Sequence, residues 1–279
     1  MRTSANAWRR TGRAAYDSRM DPALPLSGVV VACNEADRID RCVASLRPVC
    51  AEVVVVDSGS IDTTRERAAA LGARVVEQPW LGFARQKNLA IAQATQPWVL
   101  LLDADEWLEA DAQDALRALF ASDRLDAADV VRLRRRTRFL GTVMRHGSFA
   151  REPVERLFRA HCRHEERAVH ERLDTRGQRV IDAAIRMEHD TARDAAEYWA
   201  KLQGYARLWA SERLARTRWV PPGRASLAGL AYLLKNLLLR RGLLDGPGAW
   251  RFHALHACYA MAKYRELRAR RARGFSSGI

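Results

Sequence analysis

The chain reads as an α/β protein built on a mostly parallel sheet with helices on both faces, followed by a helical C-terminal extension. Three observations predict this. Short apolar runs at 28–32, 53–56 and 98–102 each end in a polar or acidic cluster. The segments between them carry helical periodicity bounded by Gly, Pro, Ser and Asp, and strands alternating with helices at this spacing favour parallel pairing. Beyond Thr191 the pattern turns helical to the end.

Taken in order, "SGVVVACNEADRIDRCVASL" predicts a strand at 28–32, a turn, and a helix capped near Asn34. "AEVVVVDSGSIDTTRERAAALG" repeats the scheme, with a strand at 53–56 ending on Asp57 and a helix from Asp62 or Thr63 to Gly72. "ARVVEQ" is a third strand, "GFARQKNLAIAQA" a helix, and "WVLLLD" a fourth strand running into Asp103, Asp105 and Glu106. A helix to about 122 follows, then alternating segments that predict a β-rich extension through 190. The organisation expected is a disordered basic tail over 1–25, an α/β domain over 26–190 (a front half to about 122, a β-rich half from 123) and basic amphipathic helices over 191–279. The tail lacks the apolar core of a secretory signal. It reads as disorder or as an over-long reading frame starting naturally at Met20.

The formal charge of the 279 residues is +14, unevenly spread: residues 191–279 hold 17 Lys/Arg against 5 Asp/Glu. Such an excess implies an anionic partner surface. The segment "RASLAGLAYLLKNLLLRR" is apolar but short and interrupted by Lys235, so it is expected to lie on a membrane and not to cross it. Five cysteines without a CxxC pair argue against a disulfide framework and for a reducing compartment. There is no P-loop and no GxGxxG, which removes support for ATP hydrolysis or a Rossmann dinucleotide site.

In parallel α/β sheets ligands bind beyond the carboxyl ends of the strands. Asn34, Glu35, Asp57, Asp103 and Asp105 all follow such ends. A turn after Asp103 would let the Asp103-Ala104-Asp105 carboxylates share one hard divalent cation, Mg²⁺ or Mn²⁺, completed by substrate phosphates. A solvated turn is the simpler alternative. Asp57 before a Ser-Gly-Ser loop suits a base or ribose hydroxyl, or else a turn. Arg85, Lys87 and Asn88 near a helix start suit a diphosphate, or else a solvated face. "HCRH" at 161–164 lacks a second ligand pair and reads as a solvated basic turn.

Together "VVVACNEAD", "VVVVDSGSIDTT", "GFARQKN" and "WVLLLDADEWL" resemble the successive motifs of inverting family 2 glycosyltransferases of the GT-A fold. The later "MRHGSF", "ERLFR", "AVHERL", "EHDT" and "GLLDG" resemble the lipopolysaccharide-core heptose β-1,4-glucosyltransferase branch, except that Ser148-Phe149-Ala150-Arg151 stands where the branch has a Trp-Tyr-Pro stretch. The resemblance implies a UDP-sugar donor, glucose foremost, and a divalent metal. Asn34 and Glu35 would border the nucleotide and Asp57 would hold the uracil. Arg85 and Lys87 would lie by the diphosphate. Asp103 would contact ribose or metal, Asp105 the metal, and His189 would complete the metal shell or meet the diphosphate. Inversion needs one general base: Glu171 in "AVHERL", with Asp190 and Glu188 as alternatives. The acceptor would be a lipopolysaccharide-core or related glycan or glycolipid, met by a peripheral enzyme on the cytoplasmic face of an anionic membrane, with no nucleic-acid partner. Transfer to polyprenyl phosphate, a nucleic-acid binder and a non-catalytic membrane scaffold are the competing classes.

Overall fold

A computed structural model describes residues 22–165 and 172–276, the side chains of 274–276 excepted. Four consecutive strands form a wholly parallel half-sheet: β1 (Leu24–Ala32), β2 (Cys50–Asp57), β3 (Arg74–Glu77) and β4 (Trp98–Asp103), in spatial order β3-β2-β1-β4. Their central residues Val29, Val30, Val54, Val55, Leu100 and Leu101 are inaccessible to solvent. That is why these strands read as continuous apolar runs: a parallel sheet covered on both faces has no polar side. Helices α1 (Ile39–Leu46), α2 (Thr64–Ala70) and α4 (Ala110–Phe120) cover one face through Ile39, Val43, Leu46, Ala68 and Leu116. Helix α3 (Phe83–Ala92) covers the other through Ala90 and Ile91.

The sheet continues beyond β4 with β8 (Glu152–Arg159), β6 (Val130–Phe139), β9 (Val180–Asp190) and the two-residue β5 (Glu106–Trp107); β7 (Thr142–Val143) pairs with β6. Here β4–β8, β8–β6 and β9–β5 are antiparallel while β6–β9 is parallel. The parallel character thus belongs to the first half, and the second half is mixed.

Two expected boundaries move. Leu24 already pairs with Cys50, and its N–H donates to the Val49 carbonyl, so the sheet begins inside the stretch assigned to the tail. Residues 1–21 lie outside the described residues. Asn34 does not cap a helix. It sits in a left-handed turn at φ 55° and accepts from the Ile61 N–H at 2.9 Å while its own N–H donates to Ser60 Oγ. It therefore joins the loops after β1 and β2, and α1 starts only at Ile39.

The C-terminal helices are α5 (Ala195–Leu214), α6 (Arg224–Leu233), which runs into a π-helical stretch Leu234–Leu239, and α7 (Pro247–Ser276). Helix α5 is capped by Asp194, whose side chain accepts from the Ala196 and Glu197 N–H groups, as a helix start requires. The helices dock on the sheet through an aromatic cluster of Phe139, Met144, Tyr198 and Phe252. Within it His256 stacks on Tyr232 and lies 2.7 Å from the Tyr198 hydroxyl.

A second junction joins the "RHGS" loop to the "GLLDG" turn. The Asp245 carboxylate accepts from the Arg145 and His146 N–H groups at 2.8 Å and lies 2.6 Å from His146 Nδ1. Asn236 Oδ1 takes the Ser148 N–H and hydroxyl, and the Gly147 N–H donates to the Arg240 carbonyl. Gly147, at φ 81°, packs against the His253 ring where a Cβ would lie 3.1 Å away. Two motifs about a hundred residues apart are thus one latch.

Burial pushes the His256 imidazole down to about 3. A histidine kept neutral in the fold but protonated in the unfolded chain withdraws stability as pH falls below about 6.5, by about 1.4 kcal/mol per pH unit. His256→Gln should therefore lose about 2 kcal/mol less stability than the parent between pH 7 and pH 5, read from urea unfolding midpoints. Equal slopes would refute a neutral His256.

Candidate functional site

The strand ends converge as expected, and the acidic cluster after β4 resolves into two environments. Asp103 and Glu106 belong to a buried charge lattice. Arg156 of β8 reaches Asp103 Oδ2 at 2.5 Å and Glu106 Oε1 at 2.7 Å. Lys87 of α3 lies 3.3 Å from Asp103 Oδ1, and Arg135 of β6 lies 3.5 Å from Glu106. The second Glu106 oxygen accepts the Asp103 N–H at 3.0 Å, closing the turn. Burial opposes charge on Asp103, but Arg156 and Lys87 outweigh it and hold the carboxyl well below the usual carboxylate range. Removing one member of such a buried set leaves an uncompensated charge, which is strongly destabilising.

Asp105 turns the other way. Its Oδ2 lies 3.4 Å from His189 Nε2 and 3.9 Å from Arg38. Burial raises its carboxyl and His189 more than reverses this, so the net shift is downward. Register explains the pair: β5 places Glu106 opposite His189 on β9, and the Asp190 N–H donates to the Asp105 carbonyl at 3.0 Å. His189 Nδ1 is buried without a hydrogen-bond partner.

Glu35 stands at the rim, 2.7 Å from Arg193 and 3.9 Å from Arg38. Burial pushes its carboxyl up to about 7, Arg193 opposes this, and Asp105 adds to the rise. Arg193, just before α5, also binds the Asn34 carbonyl, Asp37 and Glu197. One guanidinium thereby ties the loop after β1 to the helical extension.

The remaining expected residues divide. Asp57 is fully buried and accepts from the Gly59 and Ser60 N–H groups at 3.0 and 2.9 Å and from the Ser60 hydroxyl. Its charge shapes the loop after β2. Lys87 joins Asp103, whereas Arg85, two residues along α3, is exposed away from it, as the 3.6-residue period dictates. Asp190 lies 3.6 Å from Arg41, whose guanidinium covers the Trp107 ring at 3.5 Å. Glu171 lies outside the described residues. Glu188 is not an available base: it is 1% exposed, with Arg136 and Arg138 at 2.5 and 2.7 Å.

The "HCRH" turn is not simply solvated. His164 and Cys162 are buried, Asn88 brackets the His164 backbone at 2.7 and 3.0 Å, and burial pushes the imidazole down to about 3. Sequence reasoning missed Arg156, Arg135, Arg38, Arg193 and the structural role of Glu106. The arginine inside the quoted "ERLFR" motif was the available signal for Arg156; nothing local marks the others.

Among the described residues no three Asp, Glu, His or Cys side chains form a complete metal cage. Asp105 and His189 nevertheless fit a cation as a two-donor set, because Mg²⁺ and Mn²⁺ take much of their shell from water and substrate phosphates.

Comparison with known proteins bears on the same region. A stretch of 101 residues is 43% identical to an uncharacterized glycosyltransferase of Rickettsia bellii, covering 36% of this chain and 34% of that one. A stretch of 108 residues is 40% identical to the lipopolysaccharide core biosynthesis glycosyltransferase LpsC of Rhizobium meliloti, covering 37% and 40%. The matches thus span about a third of the length of the rickettsial relatives. Among solved structures, glucosyl-3-phosphoglycerate synthase from Mycobacterium tuberculosis, in complex with Mn²⁺, UDP and phosphoglyceric acid, is 25% identical at a TM-score of 0.34, covering 42% of this chain and 44% of that one. The profile of glycosyl transferase family 2 matches residues 27–187, which include every described strand end of the site except the last residues of β9, and the chain belongs to that family.

Proposed function

We propose that this glycosyltransferase moves a sugar, glucose from UDP-glucose in the first instance, with inversion onto a lipopolysaccharide-core or related cell-surface glycan. The observation that carries the reading is the pairing of Asp105 with His189 at the end of β4, 3.4 Å apart, beside a separately neutralised Asp103. This leaves Asp105 and His189 paired with each other at the strand end, while the more accessible Asp103 is held by Arg156 and Lys87. The identity to LpsC supports a lipopolysaccharide-core acceptor.

In this reading Asp105 is the principal metal ligand, with His189 and the open side of Asp103 beside it. The cation, Mg²⁺ or Mn²⁺, would neutralise the leaving diphosphate. Asn34 and Glu35 border the nucleotide, and the Asp57 loop forms the pocket for the uracil edge. Lys87 and, at the outer rim, Arg85 attract the diphosphate. Glu171, or Asp190 in its place, takes the proton of the acceptor hydroxyl as its oxygen bonds to the anomeric carbon. The bond from that carbon to the diphosphate oxygen breaks on the opposite side, and its electron pair leaves with the diphosphate. An acidic cleft floor is the wrong lining for a nucleic-acid partner.

We also read the protein as peripheral on the cytoplasmic face of an anionic membrane. Leu227, Leu230, Leu234 and Leu238 form an exposed stripe along α6 and the π-helical stretch, 45–57% accessible, and Leu239 is 81% accessible. Contiguous apolar surface of this kind marks an interaction site, and Arg224, Lys235, Arg240 and Arg241 edge it. No described helix is long and apolar enough to cross a membrane.

Asp105→Ala should lower turnover by about 10³-fold or more, because the leaving charge loses its main stabiliser, with the melting temperature little changed. Near-parental turnover at saturating Mn²⁺ would overturn the assignment. Glu171→Gln should cut turnover by about 10²-fold or more while UDP binding persists; a crippled Asp190→Asn beside an active Glu171→Gln would transfer the role to Asp190. By contrast Glu106→Ala should act on stability, costing about 3–5 kcal/mol by stripping Arg156 and Arg135 of a buried partner. An unfolding midpoint equal to the parent would contradict that lattice.

A further inference from the structure

Strand β6 carries five arginines, Arg132, Arg134, Arg135, Arg136 and Arg138. Arg135 points to Glu106 and Glu152, while Arg134 and Arg136 emerge on the opposite face, as strand geometry requires. There they line a cavity of about 470 Å³ with Arg145 and Arg151 from the latched loop and Arg186 from β9, over Met144. Two carboxylates meet this set: Asp111 pairs with Arg186, and Glu188 with Arg136. Arg134, Arg145 and Arg151 have no carboxylate partner among the described residues, unlike Arg135, Arg156 and Arg193. Guanidiniums gathered in one concavity repel each other and raise the local potential for anions.

None of Asn34, Glu35, Asp57, Asp103, Asp105 and His189 lines this cavity. Arg136 shares Glu188 with Arg138, which lies 5.7 Å from the Trp107 ring. On the cavity's other side a groove of about 650 Å³ shares Arg145 and Arg151 and continues to Arg240, Arg241 and Leu239. That groove therefore opens onto the exposed leucine stripe. Apolar surface, cationic rim and arginine cavity follow one another in space, and the cavity ends near the proposed acceptor side of the site.

We propose that this arginine-lined cavity binds the phosphate or carboxylate groups of a membrane-displayed glycolipid acceptor, whose acyl chains stay in the bilayer beneath the leucine stripe. A guanidinium fork matches both anions bidentately. The latch gives the site its shape, because Asp245 and Asn236 hold the loop bearing Arg145 and Arg151. The inference rests on the glycosyltransferase reading and names the class of acceptor that the reading leaves open.

The test compares binding of the full chain to phosphatidylcholine vesicles doped with a bis-phosphorylated disaccharide glycolipid (lipid A) or, at equal charge density, with phosphatidylglycerol. The parent should prefer the glycolipid vesicles by about tenfold or more, because equal charge density cancels the general attraction of basic residues to an anionic surface. The double variant Arg145→Ala/Arg151→Ala should lose that preference. The charge-matched Arg265→Ala/Arg268→Ala, altered on the exposed face of α7, should keep it. Absence of a preference in the parent, its survival in the loop variant, or an equal loss in both variants would overturn the proposal. Thermal stabilisation by UDP with Mn²⁺, followed in parallel, verifies folding; if the loop variant lacks it, Arg134→Ala takes its place. Failure of the parent to respond to UDP with Mn²⁺ would count against the donor reading, whereas a lost lipid preference alone counts only against the cavity.

Discussion

The ion lattice centred on Arg156 is the constraint on which the site depends. Five apolar residues of β4 run directly into three carboxylates, an arrangement that self-repulsion would disfavour in a buried setting. Arg156 resolves this from β8 by binding Asp103 and Glu106 together, and Glu106 in turn holds the Asp103 N–H. The antiparallel pairing of β4 with β8 is therefore also the pairing that supplies the counter-charge. With Asp103 and Glu106 so occupied, Asp105 is the carboxylate turned toward His189.

Arginine does comparable work elsewhere in the molecule. Arg193 fastens the loop after β1 to α5 through four partners, and Arg136 and Arg138 immobilise Glu188. A planar fork that remains charged can satisfy several acceptors at fixed angles, which lysine cannot. The strong positive charge of the chain is thus of two kinds. Part of it is consumed internally by carboxylates, and part lines the cavity beside the latched loop, where Arg134, Arg145 and Arg151 have no carboxylate partner among the described residues.

The helical extension is structurally continuous with the catalytic domain. Phe139 and Met144 of the sheet side pack with Tyr198 and Phe252 of the helices, and the Asp245 latch adds directional bonds to a loop that would otherwise be held only at its ends. The same helices leave Leu227, Leu230 and Leu238 uncovered. One face of the extension therefore packs on the sheet and the latched loop, while the other exposes the leucine stripe.

Much of this was legible in the sequence. The four parallel strands, their order of helices and the convergence of Asp57, Asp103 and Asp105 on one edge follow from local hydrophobic runs and the rule that such sheets bind ligands at their carboxyl ends. Family membership likewise follows from motifs that are contiguous in the chain. Other features were decided only in three dimensions. That Asn34 would join two loops and not cap α1, that Lys87 would turn inward while Arg85 turned out, and that His164 would be buried depend on partners 16 to 76 residues away. The partition of Asp103, Asp105 and Glu106 between the Arg156 lattice and the His189 pair depends on Arg156, some fifty residues downstream. Periodicity encodes which face of an element is buried, but a charged side chain's role is set by the counter-charge that the folded chain brings to it, and that is a property of the tertiary structure alone.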